Sequence, residues 1–138
     1  MRVALDTNVL VSAVAARGLC ADIFNLVLAE HELIVGETVL AELKRVLREK
    51  IRVPSKLIEE YVALLRSEGV VVKQGETLVI AIRDKSDVPV LGEAIAGKAE
   101  VLVTGDKDLL DVSGTLPLRV LTPRGLWEEL RQDPAQPR

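Results

Sequence analysis

The stretch VLVTGDKDLL, residues 101–110, begins with apolar and β-branched residues and turns acidic within five positions. The apolar start predicts a buried strand, and Thr104 with Gly105 is a combination typical of turns. Asp106 and Asp108 therefore follow directly on a strand that lies inside the protein. Two carboxylates in that position indicate either a solvated turn or a site that holds something positively charged.

Outside this stretch, strand patterns and helix patterns alternate along the chain. RVAL at 2–5 is an apolar run before the polar DTN at 6–8, so a buried strand followed by a loop is predicted. Gly18 interrupts the first helix pattern, Gly69 is a plausible end of another, and Pro123 opens the last. This alternation predicts a mainly parallel sheet covered by helices on both faces. The predicted helices lie at about 9–29, 37–50, 55–68 and 87–97 and after residue 123; the predicted strands lie at 2–5, 32–36, 100–104 and 118–121, with 70–72 as a short or edge strand and 77–82 undecided between strand and loop.

The length of 138 residues is enough for one domain with a single hydrophobic core. We assign this domain to residues 1–132 and expect DPAQPR at 133–138 to be a disordered tail. Cys20 is the only cysteine, so no intramolecular disulfide can form and a reducing, intracellular setting is expected. No signal-peptide pattern and no apolar run long enough to cross a membrane is present. A soluble, cytoplasmic protein is the expectation.

The scarcity of some residue types excludes several classes of site. His31 is the only histidine and is expected at the amino end of the second strand. The chain therefore has too few suitable residues for a histidine zinc site or a Ser-His-Asp triad. The chain has no P-loop and no dinucleotide-binding glycine pattern. With three aromatic residues in total, Phe24, Tyr61 and Trp127, a platform on which bases stack is not expected.

Acidic residues recur where strands end or helices begin. Open α/β sheets bind ligands beyond the carboxyl ends of their strands, and Asp6 and Asp106 follow two such ends. Glu42 lies on the flank of the buried face of its helix, and Asp87 projects from the buried stripe of its own helix if that helix includes it. Each also has an ordinary explanation. Asp6 is a possible helix N-cap, Asp87 competes with Ser86 for a second cap, and Glu42 is a possible surface partner of a lysine or arginine.

Charge is unevenly distributed in this predicted arrangement. Four or five carboxylates at one edge of a sheet repel one another unless a cation lies among them, and an all-oxygen site favours Mg²⁺ or Mn²⁺ over zinc. The segment 44–56 is instead basic, with a net charge of +5 against −8 for the rest of the chain. It either holds phosphate groups or an acidic partner near the acids, or it is a solvated helix face. Its candidate binding residues are Lys44, Arg45, Arg48 and Arg52.

Four segments, taken in order, resemble the PIN-domain family of metal-dependent nucleases. The resemblance is greatest to the single-domain group that acts as toxins in bacterial and archaeal toxin-antitoxin pairs. Together the segments span nearly the whole chain, and the ordered set is more specific than any one of them. They are VALDTNVLVSA at 3–13, VLAEL at 39–43, DVPVLGEAIAGKAEVLVTGDKDLL at 87–110 and VLTPRGL at 120–126.

The resemblance implies a three-layer α/β/α sandwich with a mainly parallel central sheet, and dimers built from helical surfaces. It also implies a cognate antitoxin as partner and RNA as substrate, hydrolysed by water activated on Mg²⁺ or Mn²⁺ to leave 5′-phosphate and 3′-hydroxyl ends. The metal-binding acids that it implies are Asp6, Glu42, Asp87 and Asp106, with Asp108 as an accessory ligand and with Asn8 and Thr104 as supporting residues.

Two other functions fit parts of the pattern. A haloacid-dehalogenase-like phosphatase also has an aspartate after its first strand, and GDKDLLD at 105–111 suggests this class. Its chemistry needs a second acid two residues after the first, however, and here that residue is Asn8. The other function is an interaction module that keeps the PIN fold without activity, and the presence of all four expected acids argues against it.

Overall fold

A five-stranded sheet forms the centre of the molecule in the computed structural model, which describes residues 1–73 and 87–132. The strands are β1 (Arg2–Leu5), β2 (Glu32–Gly36), β3 (Val70–Val72), β4 (Val101–Val103) and β5 (Arg119–Leu121). They are arranged in the order β3-β2-β1-β4-β5, and each of the four pairings between them is parallel. The predicted parallel sheet is confirmed, and β3 is an edge strand.

Helices connect the strands and cover both faces of the sheet. Their apolar residues recur at helical spacing, so each helix buries one stripe and leaves the opposite side to solvent. A 3-10 turn at Ser113–Thr115 precedes the last strand. The helices are α1 (Thr7–Ala15), α2 (Leu19–Glu30), α3 (Glu37–Glu49), α4 (Ser55–Glu68), α5 (Asp87–Ala96), α6 (Lys107–Asp111) and α7 (Pro123–Gln132).

Two hydrophobic clusters lie on opposite faces of the sheet. Alternate residues of a strand point to opposite faces, so Val3 and Leu5 of β1 belong to a cluster with α1, α2, α3, α4 and α7. Ala4 of β1 and Ile34 of β2 belong to a second cluster with α5 and α6. The three-layer α/β/α sandwich is therefore confirmed.

Two local predictions at the carboxyl edge of the sheet are wrong. The loop expected at 6–8 is the start of a helix, because α1 begins at Thr7 with Asp6 as its N-cap. The acidic turn expected after β4 is the short helix α6, with Asp106 as its N-cap. In both places an aspartate accepts a backbone hydrogen bond, which allows a helix to begin where a loop was expected.

The break predicted near Gly18 is confirmed. Gly18 has φ of +145°, a conformation that residues with a side chain rarely adopt, and α1 and α2 are bent by 103° across the break. Among the described residues, no single helix has both the length and the apolar character needed to cross a membrane, and only this bent pair meets that test. The predictions for 77–82 and for the tail at 133–138 lie outside the described residues.

Candidate functional site

β1 and β4 lie side by side at the point where the strand order changes direction. β2 and β3 follow on one side of this pair and β5 on the other. Leu5 pairs with Val103, so Asp6 and Thr104 come directly after two paired residues. The amide of Asp6 donates to the carbonyl of Val103 at 3.0 Å. Open parallel sheets bind their ligands in the crevice at such a point.

Both carboxylate oxygens of Asp6 accept a hydrogen bond. Oδ1 accepts the amide of Thr7 at 2.8 Å, which caps α1. Oδ2 accepts the hydroxyl of Thr104, a fully buried residue, at 2.7 Å. The capping interpretation of Asp6 is therefore met, and each oxygen still has capacity to accept another bond.

Thr104 also contacts the second aspartate at this edge. The amide of Asp106 donates to Thr104 Oγ1 at 3.0 Å, and Asp106 Oδ1 accepts the amide of Asp108 at 2.9 Å. One buried hydroxyl thus donates to Asp6 and accepts from the backbone of Asp106. The structure brings these residues together as the sequence indicated, although Asp106 is also a cap, as its position in a turn-like segment allowed.

Thr7 joins the third acid to the same group, and sequence reasoning missed it. Thr7 is 2% exposed, and its hydroxyl donates to Glu42 Oε2 at 3.3 Å. Its amide already binds Asp6, so one residue contacts both carboxylates. A signal was present, because Leu10 and Val11 at i+3 and i+4 place residue 7 on the buried side if the helix starts one turn early.

Glu42 lies between this buried group and the solvent. Its side chain is 44% exposed, and its Oε1 lies 4.0 Å from the guanidinium of Arg45, which also reaches Glu49 at 3.6 Å. The surface pairing considered from the sequence is therefore present together with the inward contact to Thr7. A loose pair at this exposure is worth at most about 1 kcal/mol and does not prevent Glu42 from taking another partner.

Two residues implied by the resemblance stand apart from these contacts. Asn8 lies in the first turn of α1 with an exposed side chain, so it does not shape a loop, and its supporting role stays a prediction. Asp87 is the first residue of α5, and its side chain lies outside the described part of the chain. Glu93 of α5 contacts the start of α3, whereas the later Gly97 contacts the start of β1. The backbone of Asp87 therefore begins on the same edge of the sheet as the other acids.

Glu93 is a second residue that sequence reasoning missed. It is 1% exposed, and its two carboxylate oxygens lie 3.0 and 3.2 Å from the amide of Thr38. Val90, three residues before it in α5, and Gly97, four residues after it and just beyond the helix, are also buried. A carboxylate in a buried stripe almost always has a partner, so the spacing indicated a buried contact but not which residue supplies it.

The atoms at this edge suit a hard cation, since carboxylates and hydroxyls offer only oxygen. In the part of the chain that the structure describes, no group of three His, Cys, Asp or Glu side chains is placed to hold a metal ion. The acids joined by hydrogen bonds therefore do not by themselves form a ligand set, and the part that Asp87 plays stays a prediction. The chemistry of the donors fits Mg²⁺ or Mn²⁺, while the arrangement of all four acids stays a prediction.

Three of the four basic residues predicted as one patch line two separate grooves, and the fourth lines neither. Lys44 and Arg48 line a groove of about 390 Å³ between α3 and α4. Arg52, beyond the end of α3, lines a larger and more apolar groove of about 610 Å³. Arg45 faces Glu42 instead. All four basic residues are exposed, as predicted.

The only cysteine and the only histidine offer no alternative site. Burial raises the pKa of the Cys20 thiol, an effect that a hydrogen bond with Ser12 only partly offsets, so the reactive thiolate is disfavoured. His31 lies just before β2, at the amino end of the sheet, with its Nδ1 3.4 Å from the amino group of Met1. It is on the opposite edge from the acids, as predicted.

Comparison with known proteins agrees with this fold. A family model described as "PIN domain" matches residues 2–108. The chain belongs to the PIN-domain family, whose members are generally nucleases that use divalent metals. No curated protein matches the chain.

Two solved structures share the fold. One is VapBC2 from Rickettsia felis, bound to a DNA fragment from their promoter. It is 19% identical, has a TM-score of 0.58, and covers 88% of this chain and 97% of its own. The other is VapBC-1 from nontypeable Haemophilus influenzae, 18% identical with a TM-score of 0.63, covering 90% of this chain and 99% of its own. At these identities the likeness concerns the fold.

Proposed function

We propose that this chain is a Mg²⁺- or Mn²⁺-dependent ribonuclease and the toxin of a toxin-antitoxin pair. The observation that carries the proposal is the hydrogen-bonded chain at the carboxyl edge, which runs from Glu42 through Thr7, Asp6 and Thr104 to Asp106. It joins three carboxylate residues of a PIN-family chain. Aspartates that only cap helices do not need buried hydroxyls that link them to other acids, as Thr7 and Thr104 do here.

The proposed roles combine these contacts with the residues that the family resemblance implies. Asp6, Glu42, Asp87 and Asp106 hold the metal, Asp108 is an accessory ligand, and Thr104 orients Asp6 through its hydroxyl. When bound, the metal lowers the pKa of a water molecule and stabilises negative charge on the phosphate. The chain's own part is to orient the carboxylates, with Asn8 as a further supporting residue. No side-chain nucleophile is required.

The simplest test compares the wild type with Asp6→Asn on a panel of structured and single-stranded RNAs. Asn caps a helix as well as Asp does, so α1 should stay intact while one anionic ligand is lost. Cleavage should need Mn²⁺ or Mg²⁺, stop with chelator, and fall by roughly 100-fold or more in the variant. Asp22→Asn is the matched control, because Asp22 lies in the first turn of α2 instead.

The result also separates the rival functions. If metal raises the melting temperature of the wild type but no RNA is cleaved, the result would favour the non-catalytic interaction module. Turnover of a generic aryl phosphate without RNA cleavage would favour the phosphatase class. Equal RNA cleavage by wild type and Asp6→Asn would exclude Asp6 from the site.

Lys44 and Arg48 are proposed to hold phosphates of the RNA, with Arg45 and Arg52 as neighbours. Lys44 and Arg48 lie on the helix that carries Glu42 and line one groove, together with Arg66 and a single acid, Glu59. Charge reversal at Arg48 should weaken RNA binding and reduce the slope of log K against log salt by about 0.7 for each phosphate that the protein no longer neutralises. Binding that keeps the same slope would remove this groove from the proposal.

A protein partner is the second part of the proposal. Four large apolar side chains, Val14, Ile51, Leu57 and Leu64, are 41 to 53% exposed and line the same groove. Clustered exposed apolar residues mark protein interfaces. One base and one acid, Arg52 and Glu60, line the groove beside them. These features suit an antitoxin segment with an apolar face.

Co-expression with a small protein encoded beside this gene tests that partner. Leu57→Asp should abolish co-purification, while Val70→Asp, at an exposed valine outside the groove, should not. Retained binding by Leu57→Asp would overturn the groove as the antitoxin site. The expected homodimer and cytoplasmic location belong to the same proposal, and light scattering of the purified chain tests the first of them.

A further inference from the structure

Glu93 is a buried carboxylate for which the proposed chemistry has no use. It lies near the middle of α5, is 1% exposed, and reaches across to the first turn of α3. Both of its oxygens lie within hydrogen-bond distance of the amide of Thr38, at 3.0 and 3.2 Å. Burying a carboxylate costs free energy unless a hydrogen-bond donor offsets that cost. The amide of Thr38 is such a donor, so the contact stabilises Glu93 in its buried position.

The start of α3 explains why a carboxylate is needed there. The first amides of a helix have no partner within the helix and create a partial positive charge. The residue before α3 is Gly36, which has no side chain to cap them. Glu93 therefore supplies, from another layer of the fold, the acceptor and the negative charge that a local cap normally provides.

Gly36 is adapted to this contact by its size. Its φ of −82° and ψ of 148° suit any residue, so the backbone conformation does not require glycine. A Cβ at this position would lie 2.5 Å from Glu93 Oε1 and 2.9 Å from the Cβ and Cδ of Glu93. Any larger residue would displace Glu93 from the amide of Thr38.

The contact joins the two helices that carry proposed ligands. Thr38 and Glu42 are four residues apart on α3, so they lie on the same face in successive turns. Asp87 begins α5 six residues before Glu93, about 9 Å along the helix. Resting on the proposed function, we propose that Glu93 is a positioning residue that fixes Glu42 relative to Asp87 and so sets the cation affinity of the site.

Binding of Mn²⁺ without RNA tests this role, with the free ion counted by electron paramagnetic resonance. Glu93→Leu keeps much of the buried volume but leaves the Thr38 amide without an acceptor, and Mn²⁺ binding should weaken by about 10-fold or more. Glu93→Gln keeps one acceptor oxygen and should restore part of the affinity. Leu130→Ala, a core truncation in α7, is the control for a loss of stability alone and should bind Mn²⁺ like the wild type.

The outcomes distinguish this inference from the function on which it rests. If the wild type binds Mn²⁺ and both Glu93 variants bind it equally well, Glu93 has no positioning role and the proposed function stands. If Leu130→Ala weakens binding as much as Glu93→Leu at a similar fall in melting temperature, the effect is one of stability and the inference fails. If the wild type itself binds no Mn²⁺, the metal site and the inference both fall. Should Glu93→Leu not fold, Glu93→Gln alone must lower the affinity.

Discussion

Two strands of the sheet lead into helices at the same edge, and the two junctions are capped in opposite ways. Where β1 meets α1, the chain supplies its own cap, because Asp6 accepts the amide of the next residue. Where β2 meets α3, the residue before the helix is Gly36 and the carboxylate comes from Glu93. Glu93 and the amide it binds are 55 residues apart in sequence.

The difference separates two uses of a carboxylate at a helix start. The self-capped junction keeps its acid partly exposed at the switch point, where Asp6 also contacts Thr104. The cross-capped junction buries its acid and holds two layers of the fold together. One acid is therefore suited to chemistry and the other to positioning.

The cross-capped junction should be the more sensitive of the two to added volume. Gly36→Ala forces the buried side chain of Glu93 to move, and overpacking of this kind should lower the free energy of unfolding by about 1–3 kcal/mol. Urea unfolding monitored by circular dichroism measures this loss of stability. Gly114→Ala is the control, because a Cβ there meets nothing within 4 Å. An equal effect of both substitutions would remove the distinction between the junctions.

At the self-capped junction the sensitive group is a hydroxyl. Thr104→Val keeps the shape of the buried side chain but removes both the donor to Asp6 and the acceptor for the amide of Asp106. The free energy of unfolding should fall by about 1–2 kcal/mol, and metal-dependent cleavage should fall as well. Thr104→Ser keeps the hydroxyl and should therefore retain most of the stability and most of the cleavage activity. Full activity in the valine variant would show that Asp6 needs no orientation from this side.

The helix of the self-capped junction is also held from the side by a buried tyrosine. The hydroxyl of Tyr61 on α4 donates to the carbonyl of Leu10 on α1 at 2.9 Å. Tyr61→Phe should lower the free energy of unfolding by about 1 kcal/mol, because a buried carbonyl loses its donor. Thermal unfolding measures this change, with Tyr61→Leu as the larger perturbation that also removes the edge-to-face contact with Phe24. No change in the Phe variant would mean that this hydrogen bond contributes nothing to holding α1 in place.

The smallest effect belongs to an exposed ion pair at the cross-capped junction. Two hydrogen bonds from Arg66 on α4 hold the pKa of Glu37, in the first turn of α3, below its usual value. Because the pKa of Glu37 is lower in the folded than in the unfolded protein, the ion pair stabilises the fold at pH values above the unfolded pKa. This stabilisation is lost as pH falls through the folded pKa. Solvent screens this pair, so the change should be small. Arg66→Gln should remove this pH-dependent stabilisation. The free energy of unfolding, measured from pH 6 to pH 3 in the wild type and the variant, should therefore fall less steeply in the variant.

Much of the fold follows from patterns that span only a few residues. The alternation of strands and helices predicted the parallel sheet, and the spacing of apolar residues predicted α3 and α4 within a residue of their ends. Asp6, Glu42 and Asp106 were singled out because acids at strand ends and on a helix flank are unusual. The structure joins these three by hydrogen bonds, while their role with metal stays a prediction.

The features that were missed depend on contacts between distant residues. The polar run DTN at 6–8 predicts a loop at Thr7, and the inward direction of this residue appears only when Asp6 caps the helix. The sequence places Glu93 in a buried stripe, but its partner is set by how α5 packs on α3. The basic segment is continuous in sequence and so predicts one patch, whereas the end of α3 divides it between two grooves.

The hydroxyl of Thr104 has a single hydrogen, and this gives the bonds around it a direction. That hydrogen points to Asp6, while the amide of Asp106 approaches the same oxygen from the other side. Because Thr104 is buried, its hydrogen has no water to turn toward. A change in the position of the Asp6 carboxylate would therefore move this oxygen and alter the bond that it accepts from the Asp106 amide. The nitrogen chemical shift of that amide is a reporter of the geometry of an acid that lies far from it in the sequence.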